Sequence, residues 1–348
     1  MSQPPVGIAV VGAGPWGLTL ANAFARLPQV QLRWICDLED ERRGRARAAH
    51  PDAGVTPELG DVLRDPGVAA VVVAVDPARH AVVSRRALDA GKHLFVEKPL
   101  ALSAADAEEI HRAAIARGRV LSVGHVLLHN RAVRRAREIV AAGLLGEPLA
   151  FASRRATIGA PRRPGSAWWA LAPHDVSLAL SLFGSFPTSV TATGRAWGEL
   201  QEDNAATAAL HFPGGRTACI QVTRFASHKR RDVTIAGPAA TLTFDELAPS
   251  DEALRLWTRE GGTSVLPFER ADALRAQCLD FVTRVARGDA SGGAGAHAVD
   301  VVRVLEACER SLRQGGGVQA LGDEVGVAVG VADPAGASLR DRTSSEAA

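Results

Sequence analysis

The sequence contains no tyrosine, and its four cysteines are scattered over 348 residues without a C-x-x-C pair. The lack of tyrosine excludes any mechanism that uses a tyrosine as general acid. Scattered cysteines offer no metal-ligand spacing, and they are typical of a reducing compartment. The chain also has no charged-then-apolar leader and no apolar run long enough to cross a bilayer. We therefore expect a cytoplasmic protein without a metal and without a membrane partner.

The composition is that of an ordinary globular protein, with 47% apolar residues, 22% charged residues and a net charge of +2. A chain of this length can bury two hydrophobic cores. Arginines cluster at residues 42–47 and 131–137, where interspersed apolar residues indicate solvated helix faces. No basic block stands apart from acidic neighbours, so the charge pattern argues against a nucleic-acid partner.

The first chemically informative stretch is an apolar strand that runs into the turn Gly12-x-Gly14-x-x-Gly17. A helical pattern follows, and a second apolar strand ends in Asp37, twenty residues after Gly17. In a dinucleotide-binding βαβ unit the first glycine permits a tight turn, the second admits the pyrophosphate and the third lets the helix pack on the strand. The sequence therefore predicts a dinucleotide site. The expected contacts in this unit also include Pro15, Trp16 and Leu38.

The carboxylate at the end of the second strand predicts NAD as cofactor, with NADP less favoured. Asp37 is placed to accept hydrogen bonds from the ribose hydroxyls and to repel a 2′-phosphate. The next residue, Leu38, is not basic, although Arg42 and Arg43 lie close in sequence.

Strands and helices alternate through the first 125 residues, which predicts a doubly wound, parallel Rossmann domain over residues 1–125. The expected strands span residues 8–11, 32–36, 69–75, 93–96 and 120–123, and the helices residues 17–27, 39–49, 78–90 and 103–118. Ligands of such sheets bind at the carboxyl ends of the strands. Cofactor contacts are therefore also expected at Pro77, His80, Glu97 and Lys98.

Beyond His125 the pattern changes to an α+β domain over residues 126–330, followed by a disordered tail over 331–348. Helices are expected at 132–142, 166–183, 269–286 and 298–313, with an open, largely antiparallel sheet between residues 187 and 245. Residues 288–295 are expected to form a flexible connection. An open sheet with alternating apolar positions such as Val190 and Ile220 needs cover on both faces. We therefore expect a homodimer or homotetramer built on this sheet.

Two residues are candidates for catalysis. Lys98 lies between an apolar strand and Pro99, at the sheet edge where the nicotinamide is expected, although lysines are more often solvated surface residues. His174 can shuttle a proton near neutral pH, but a lone histidine in an apolar helix is more often a core or capping residue. Asp175 beside it could serve only the helix dipole.

These motifs together resemble the glucose–fructose oxidoreductase/inositol dehydrogenase (Gfo/Idh/MocA) family over roughly residues 6–320. Within that family, residues 123–133, 171–177 and 234–245 look most like members that act on nucleotide-activated amino sugars and deoxysugars. The resemblance rests on Gly12-x-Gly14-x-x-Gly17, Cys36-Asp37, Glu97-Lys98-Pro99, Val123-Gly-His125 with Asn130, and Leu171-Ala-Pro-His174-Asp175.

The resemblance implies catalytic roles for Lys98 and His174, and it implies that these two residues bind substrate together with His125 and Asn130. Two positions depart from the family pattern. Ala170 stands where members commonly carry an aspartate four residues before the histidine, and His129 stands where tyrosine is frequent. A carboxylate at 170 would orient the imidazole and stabilise its charged form, which alanine cannot do.

The main functional hypothesis is an NAD(H)-dependent oxidoreductase that transfers hydride to or from a ring hydroxyl or ketone. Its substrate would be a sugar, a nucleotide sugar or a cyclitol, which is a small molecule. Two alternatives stay open from the sequence. Ala170 favours a non-catalytic, cofactor-bound sensor or regulatory protein, whereas the presence of both Lys98 and His174 favours an enzyme. Reduction of an imine is also compatible, because it needs a weaker acid relay.

Overall fold

The computed structural model describes residues 4–158, 166–195, 204–249, 251–269 and 271–322, and the expected tail from residue 331 lies outside these ranges. The first sheet has six parallel strands in the order β3-β2-β1-β4-β5-β6. These strands are β1 (Val6–Val11), β2 (Val30–Cys36), β3 (Gly54–Thr56), β4 (Ala70–Val73), β5 (His93–Val96) and β6 (Leu121–Val123). Their helices are α1 (Pro15–Ala25), α2 (Asp40–Ala49), α3 (Leu59–Arg64), α4 (Pro77–Asp89) and α5 (Ala104–Ala116).

The second sheet has nine strands in the order β14-β13-β12-β11-β7-β10-β9-β8-β15, and its only parallel pair in the described chain is β7 with β10. Its strands are β7 (Ala150–Ile158), β8 (Ser189–Arg195), β9 (Ala205–His211), β10 (Thr217–Ala226), β11 (Arg230–Ala236), β12 (Ala240–Asp245), β13 (Leu254–Thr258), β14 (Gly262–Val265) and β15 (Gln319–Ala320). The accompanying helices are α6 (Arg131–Ala141), α7 (Ala167–Phe183), α8 (Ala273–Arg287) and α9 (Gly293–Arg313). The predicted fold class is therefore confirmed.

Helices from both halves of the chain cover the parallel sheet. Because side chains alternate along a strand, Ile8 and Val10 of β1 point to one face and Ala9 and Val11 to the other. The first face packs against α1 and the late helix α8, and Phe24, Phe95 and Phe281 meet there edge to face. The second face packs against α4, α5 and α9. Both faces are buried, which explains the continuous apolar runs of these strands.

The antiparallel sheet is covered on one face only within the described chain. The apolar positions predicted from the alternation, including Val190 and Ile220, are buried against α7 and α9. The opposite face carries small and polar side chains such as Thr207, Ala209 and Gln221. The alternation therefore marks the covered face, while the open face is only mildly apolar.

Several elements were not predicted from the sequence. Strands β3, β13, β14 and β15 and helix α3 are all short, and short elements give little periodic signal. The expected bounds of the antiparallel sheet, residues 187–245, were wrong, because β7, β13, β14 and β15 lie outside them. Helix α9 begins at Gly293, inside the segment expected to be a flexible connection. At Gly295 a Cβ would lie 2.4 Å from Nδ1 of His111, so glycine permits α9 to approach α5 closely. No helix in the described ranges combines the length and apolar character needed to cross a membrane.

Candidate active site

The glycine-rich turn joins β1 to α1 and leaves room for a ligand on one side only. Gly12 has a φ of 104°, and a Cβ there would lie 2.3 Å from the carbonyl oxygen of Ala74. A Cβ on Gly17 would lie 1.8 Å from the carbonyl oxygen of Gly12. A Cβ on Gly14 would meet nothing within 4 Å, because Gly14 faces an open cleft. The three glycines therefore fit the roles that a dinucleotide site requires.

The start of α1 borders the same space. Pro15 occupies the first helical turn and Gly14 precedes it without a side-chain cap, so the first backbone N–H groups have no capping partner. Free N–H groups at a helix N-terminus bind phosphate well. These residues would hold the pyrophosphate of a dinucleotide.

Asp37 connects the end of β2 to the glycine-rich turn. Its carboxylate accepts hydrogen bonds from the backbone N–H groups of Ala13, at 2.6 Å, and Glu39, at 2.9 Å. Nη1 of Arg42 lies 3.7 Å from the same carboxylate. Both Asp37 and Arg42 line the cleft, so a carboxylate and a cation lie together where the adenosine ribose of a dinucleotide is expected.

The cleft has a volume of about 1320 Å³ and brings together all of the predicted cofactor and catalytic residues. Of the predicted residues, those that line it are Gly12, Gly14, Pro15, Trp16, Gly17, Asp37, Leu38, Pro77, His80, Glu97, Lys98 and His174. His80 is buried between the carbonyl oxygens of Pro99, 2.7 Å from Nδ1, and Val75, 3.2 Å from Nε2. It therefore ties the end of β4 to the turn that carries Lys98.

Glu97 packs beneath the turn after β5. Its buried carboxylate accepts a hydrogen bond from the backbone N–H of Lys98, at 3.2 Å. A Cβ on Gly124 would come within 2.8 Å of this carboxylate, so a glycine is needed there. Burial raises the pKa of Glu97. Glu97 thus helps to fix the backbone that presents Lys98.

Lys98 reaches across the cleft to α7. Its Nζ donates a hydrogen bond of 2.9 Å to the carbonyl oxygen of Ala170. Burial lowers the pKa of Lys98, and the charges of Arg155 and Arg231 lower it further, against an opposing effect from Glu97. Burial and the two arginines therefore bring the neutral, proton-accepting form of Lys98 closer to physiological pH, while the Ala170 carbonyl fixes the position of Nζ.

His174 lies one helical turn beyond Ala170 on α7. Its Nδ1 is buried and has no hydrogen-bond partner among the described residues. Burial lowers the pKa of His174 well below the usual value, and the charges of Lys98 and Arg155 act in the same direction. The imidazole is therefore neutral near pH 7, and it can donate or accept one hydrogen bond toward a ligand.

The structure places the other two predicted substrate residues away from the cleft lining. His125 is buried with both ring nitrogens unpartnered among the described residues, and its ring packs edge to face on His297 at 5.6 Å. Asn130 accepts a hydrogen bond from the backbone N–H of Ala132 and caps α6. An asparagine before a helical pattern is a capping signal that the sequence already contained. His129 does not line the cleft either.

A buried network of charges at the inner end of the cleft was not predicted. Arg155 of β7 donates to both oxygens of Asp175, at 2.8 and 3.2 Å, and to Glu246, at 3.1 Å. Arg231 of β11 donates to the other oxygen of Glu246. Arg155, Arg231 and Glu246 all line the cleft. Asp175 is buried and paired, which is a different role from serving the helix dipole.

No group of three or more His, Cys, Asp or Glu side chains within the described ranges is arranged to hold a metal ion. Lys98, His174 and the dinucleotide-binding turn all line the same cleft. A parallel doubly wound sheet with this turn, next to a second sheet that closes the cleft, defines a two-domain dinucleotide-binding oxidoreductase.

The chain belongs to the Gfo/Idh/MocA family of oxidoreductases. The model of the oxidoreductase family with NAD-binding Rossmann fold matches residues 6–125, and that of the GFO/IDH/MocA C-terminal domain matches residues 133–243. The family resemblance seen in the sequence is thus confirmed, and the protein is an NAD-binding oxidoreductase.

Individual relatives are similar to this chain over most of their own length. A putative oxidoreductase from Magnetospirillum magnetotacticum is 30% identical, with 87% of this chain and 99% of that chain covered at a TM-score of 0.77. GenD2 from gentamicin A biosynthesis, solved in complex with NAD, is 26% identical, with 92% and 97% covered at a TM-score of 0.80. UDP-N-acetylglucosamine 3-dehydrogenase from Acidithiobacillus ferrooxidans is 27% identical over 290 residues, 80% of this chain and 88% of the relative.

Proposed function

We propose that the protein is an NAD(H)-dependent dehydrogenase that transfers hydride to or from a ring hydroxyl or ketone of a sugar, nucleotide sugar or cyclitol. The observation that carries the proposal is the meeting of Lys98 and His174 in the cleft that also contains the dinucleotide-binding turn. NAD, when bound, supplies the hydride acceptor or donor. The relative from Acidithiobacillus ferrooxidans, a UDP-N-acetylglucosamine 3-dehydrogenase, supports a sugar hydroxyl as the reacting group.

Lys98 is the proposed proton carrier. When a hydroxyl is oxidised, its proton must leave as hydride departs from the carbon, and a neutral amine can accept that proton. Burial of Nζ lowers the pKa of Lys98, so the neutral form is reached at lower pH than in an exposed lysine. In the reverse direction the ammonium returns the proton to the developing alkoxide and stabilises its charge.

His174 has a positioning and hydrogen-bonding role in this proposal. Because its imidazole is neutral and lines the cleft, it can orient the reacting hydroxyl without competing for the proton. Ala170 contributes only its carbonyl, which accepts a hydrogen bond from Lys98. No carboxylate at that position stabilises the protonated form of the His174 imidazole. The proton transfer therefore falls mainly on Lys98.

The test is turnover by the purified protein. With NAD and a panel of sugars, nucleotide sugars and cyclitols, we expect NADH formation with at least one class, and the thermal-shift response to the same compounds should identify it. Binding of NADH without turnover of any compound would instead favour a cofactor-bound sensor.

NADH should bind more tightly than NADPH, and Asp37→Ser should narrow the difference. The variant removes both the acceptor for the ribose hydroxyls and the charge that opposes a 2′-phosphate. We expect NADH affinity to fall about tenfold, as for the loss of one charge-assisted hydrogen bond. Fluorescence titration with both cofactors measures the effect, and Arg42→Ala is the matched control because it should weaken only NADPH. Tighter binding of NADPH by the parent protein would contradict the assignment.

We further propose that a second copy covers the open face of the antiparallel sheet, giving a homodimer or a homotetramer. Small side chains such as Ala209, next to Thr191 and Thr207 on that face, permit close approach of another flat surface. Sedimentation should give a mass above 36.4 kDa at micromolar concentration. Ala209→Arg places an unpaired charge in the middle of the face and should shift the protein toward monomer. A parent protein that sediments as a monomer would refute the proposal.

A further inference from the structure

Two arginines face each other on the inner wall of the cleft. Arg155 of β7 and Arg231 of β11 are directly paired in antiparallel register, so their side chains emerge on the same face of the sheet. Like charges at opposed positions destabilise a sheet unless another group compensates them. Both residues line the cofactor cleft, so each is a candidate for contact with a bound ligand.

The guanidinium of Arg155 already donates its hydrogen bonds to other residues of the protein. It is 5% exposed, and three of its N–H groups are donated to Asp175 and Glu246. Asp175 is fully enclosed and uses both carboxylate oxygens for this pair. Arg155 therefore stabilises the wall of the cleft and has few free donors for a ligand.

Arg231 is in a different position, because its side chain is 32% exposed. In the described part of the chain, the only hydrogen-bond partner of its guanidinium is Glu246, which accepts from Nη1. The second oxygen of Glu246 is occupied by Arg155. A guanidinium carries five N–H donors, so those on Nε and Nη2 of Arg231 remain available.

We propose that Arg231 binds an anionic group of the substrate, while Lys98 and His174 contact the carbon centre that is oxidised or reduced. The anion would be a carboxylate on the sugar or the diphosphate of a nucleotide-activated sugar, since a guanidinium matches the geometry of both. This inference rests on the proposed function. A neutral sugar would leave the free donors of Arg231 without a charged partner, whereas an anion turns them into charge-assisted hydrogen bonds.

The electrostatics of the cleft are consistent with this assignment. After burial, the positive charge of Arg231 is one of the causes that lower the pKa of Lys98, and it acts on His174 in the same way. The charge of Arg231 is thus felt at the reaction centre. An anion bound there would neutralise part of it without contacting Lys98.

The experiment compares three probes on the full-length protein with NAD: D-glucose, D-glucuronate and UDP-N-acetylglucosamine. Initial rates are measured with NAD, and thermal shifts are measured in the presence of NADH. Both measurements are made on the parent, Arg231→Met and Arg231→Lys. We expect Arg231→Met to raise KM, or the apparent dissociation constant, of an anionic probe by about 10- to 100-fold, the loss typical of a hydrogen bond to a charged group. Rates are compared at a pH above the titration of Lys98, because the loss of the Arg231 charge also raises the pKa of Lys98. There the kcat should change little, D-glucose should be unaffected, and Arg231→Lys should retain part of the affinity.

Arg154→Met is the matched control. Arg154 is the preceding residue of β7, but it points to the open face of the sheet and pairs with Asp232 at 2.9 Å. It should leave all three probes unchanged. A selective effect of Arg231→Met on D-glucuronate identifies a sugar carboxylate, and a selective effect on UDP-N-acetylglucosamine identifies the diphosphate.

The two proposals fail in different ways. Failure of both anionic probes to bind, or an equal loss for D-glucose in Arg231→Met, overturns the role of Arg231. Turnover of D-glucose alone overturns it as well and leaves the dehydrogenase function standing. Anion binding that depends on Arg231 without any turnover supports this inference and overturns the dehydrogenase function.

Discussion

Replacing Lys98 by methionine is expected to lower turnover by about a hundred- to ten-thousand-fold, the usual effect of removing a proton relay, with NADH still bound. Methionine is close to lysine in length and flexibility, but its side chain has no ionisable group that could give or take a proton. The chain has no tyrosine to replace Lys98 as proton donor. His174 is neutral and lacks a carboxylate partner at position 170, so it cannot take over the full task.

Stopped-flow and steady-state rates with an identified substrate measure the effect, and NADH fluorescence reports cofactor binding in the same samples. Lys229→Met is the control, because Lys229 is exposed and lies outside the cofactor cleft. His174→Asn should lose activity less steeply than Lys98→Met. In the oxidation direction, the parent rate should rise with pH as Lys98 loses its proton, with a midpoint below that of an ordinary lysine. Full activity of Lys98→Met would show the mechanism to be wrong.

Replacing Asp175 by alanine is expected to lower the free energy of unfolding by about 3–5 kcal/mol, because one partner of a buried ion pair is removed. Arg155 would stay buried, with two N–H groups deprived of their acceptor and only Glu246 left as a partner. Water solvates little of this charge, since the Arg155 side chain is only 5% exposed.

Urea denaturation followed by circular dichroism and tryptophan fluorescence measures this loss where the two transitions coincide. The control pair also includes a residue of β7: Asp232→Ala, on β11, removes the partner of Arg154 on the open face. An exposed pair of that kind contributes less than about 1 kcal/mol. Equal effects of the two substitutions would mean that burial does not decide the strength of the Asp175 pair.

The parts of the site that the sequence predicted are those encoded by nearby residues. The glycine-rich turn, Asp37 and Lys98 each follow directly from a strand, and the carboxyl ends of parallel strands meet at one edge whatever the rest of the chain does. His174 was a weak candidate from its chemistry alone, and the family resemblance implied its catalytic role. Its position beside Lys98 depends on a contact between α7 and the turn after β5.

The charge network was missed because its members come from separate segments. Arg155 and Arg231 become neighbours through the register of β7 with β11, which no local pattern specifies. Arg155 follows Arg154 in sequence, and only the alternation of the strand decides which of the two is buried. The hairpin of β13 and β14 was missed as well, although the glycines at 261 and 262 are a turn signal between its strands.

The return of α8 to the N-terminal sheet has a consequence for biosynthesis. Phe281 and Cys278 complete the apolar layer around Phe24 and Phe95, so a nascent chain that has emerged only to residue 125 exposes that layer. The glycine-rich turn leaves the ribosome first, but its supporting sheet is sealed only when α8 and α9 have been translated. Until then the exposed surface is a binding site for chaperones and a source of aggregation. Full cofactor affinity is therefore expected only after α8 and α9 have been translated, and not when the first domain appears.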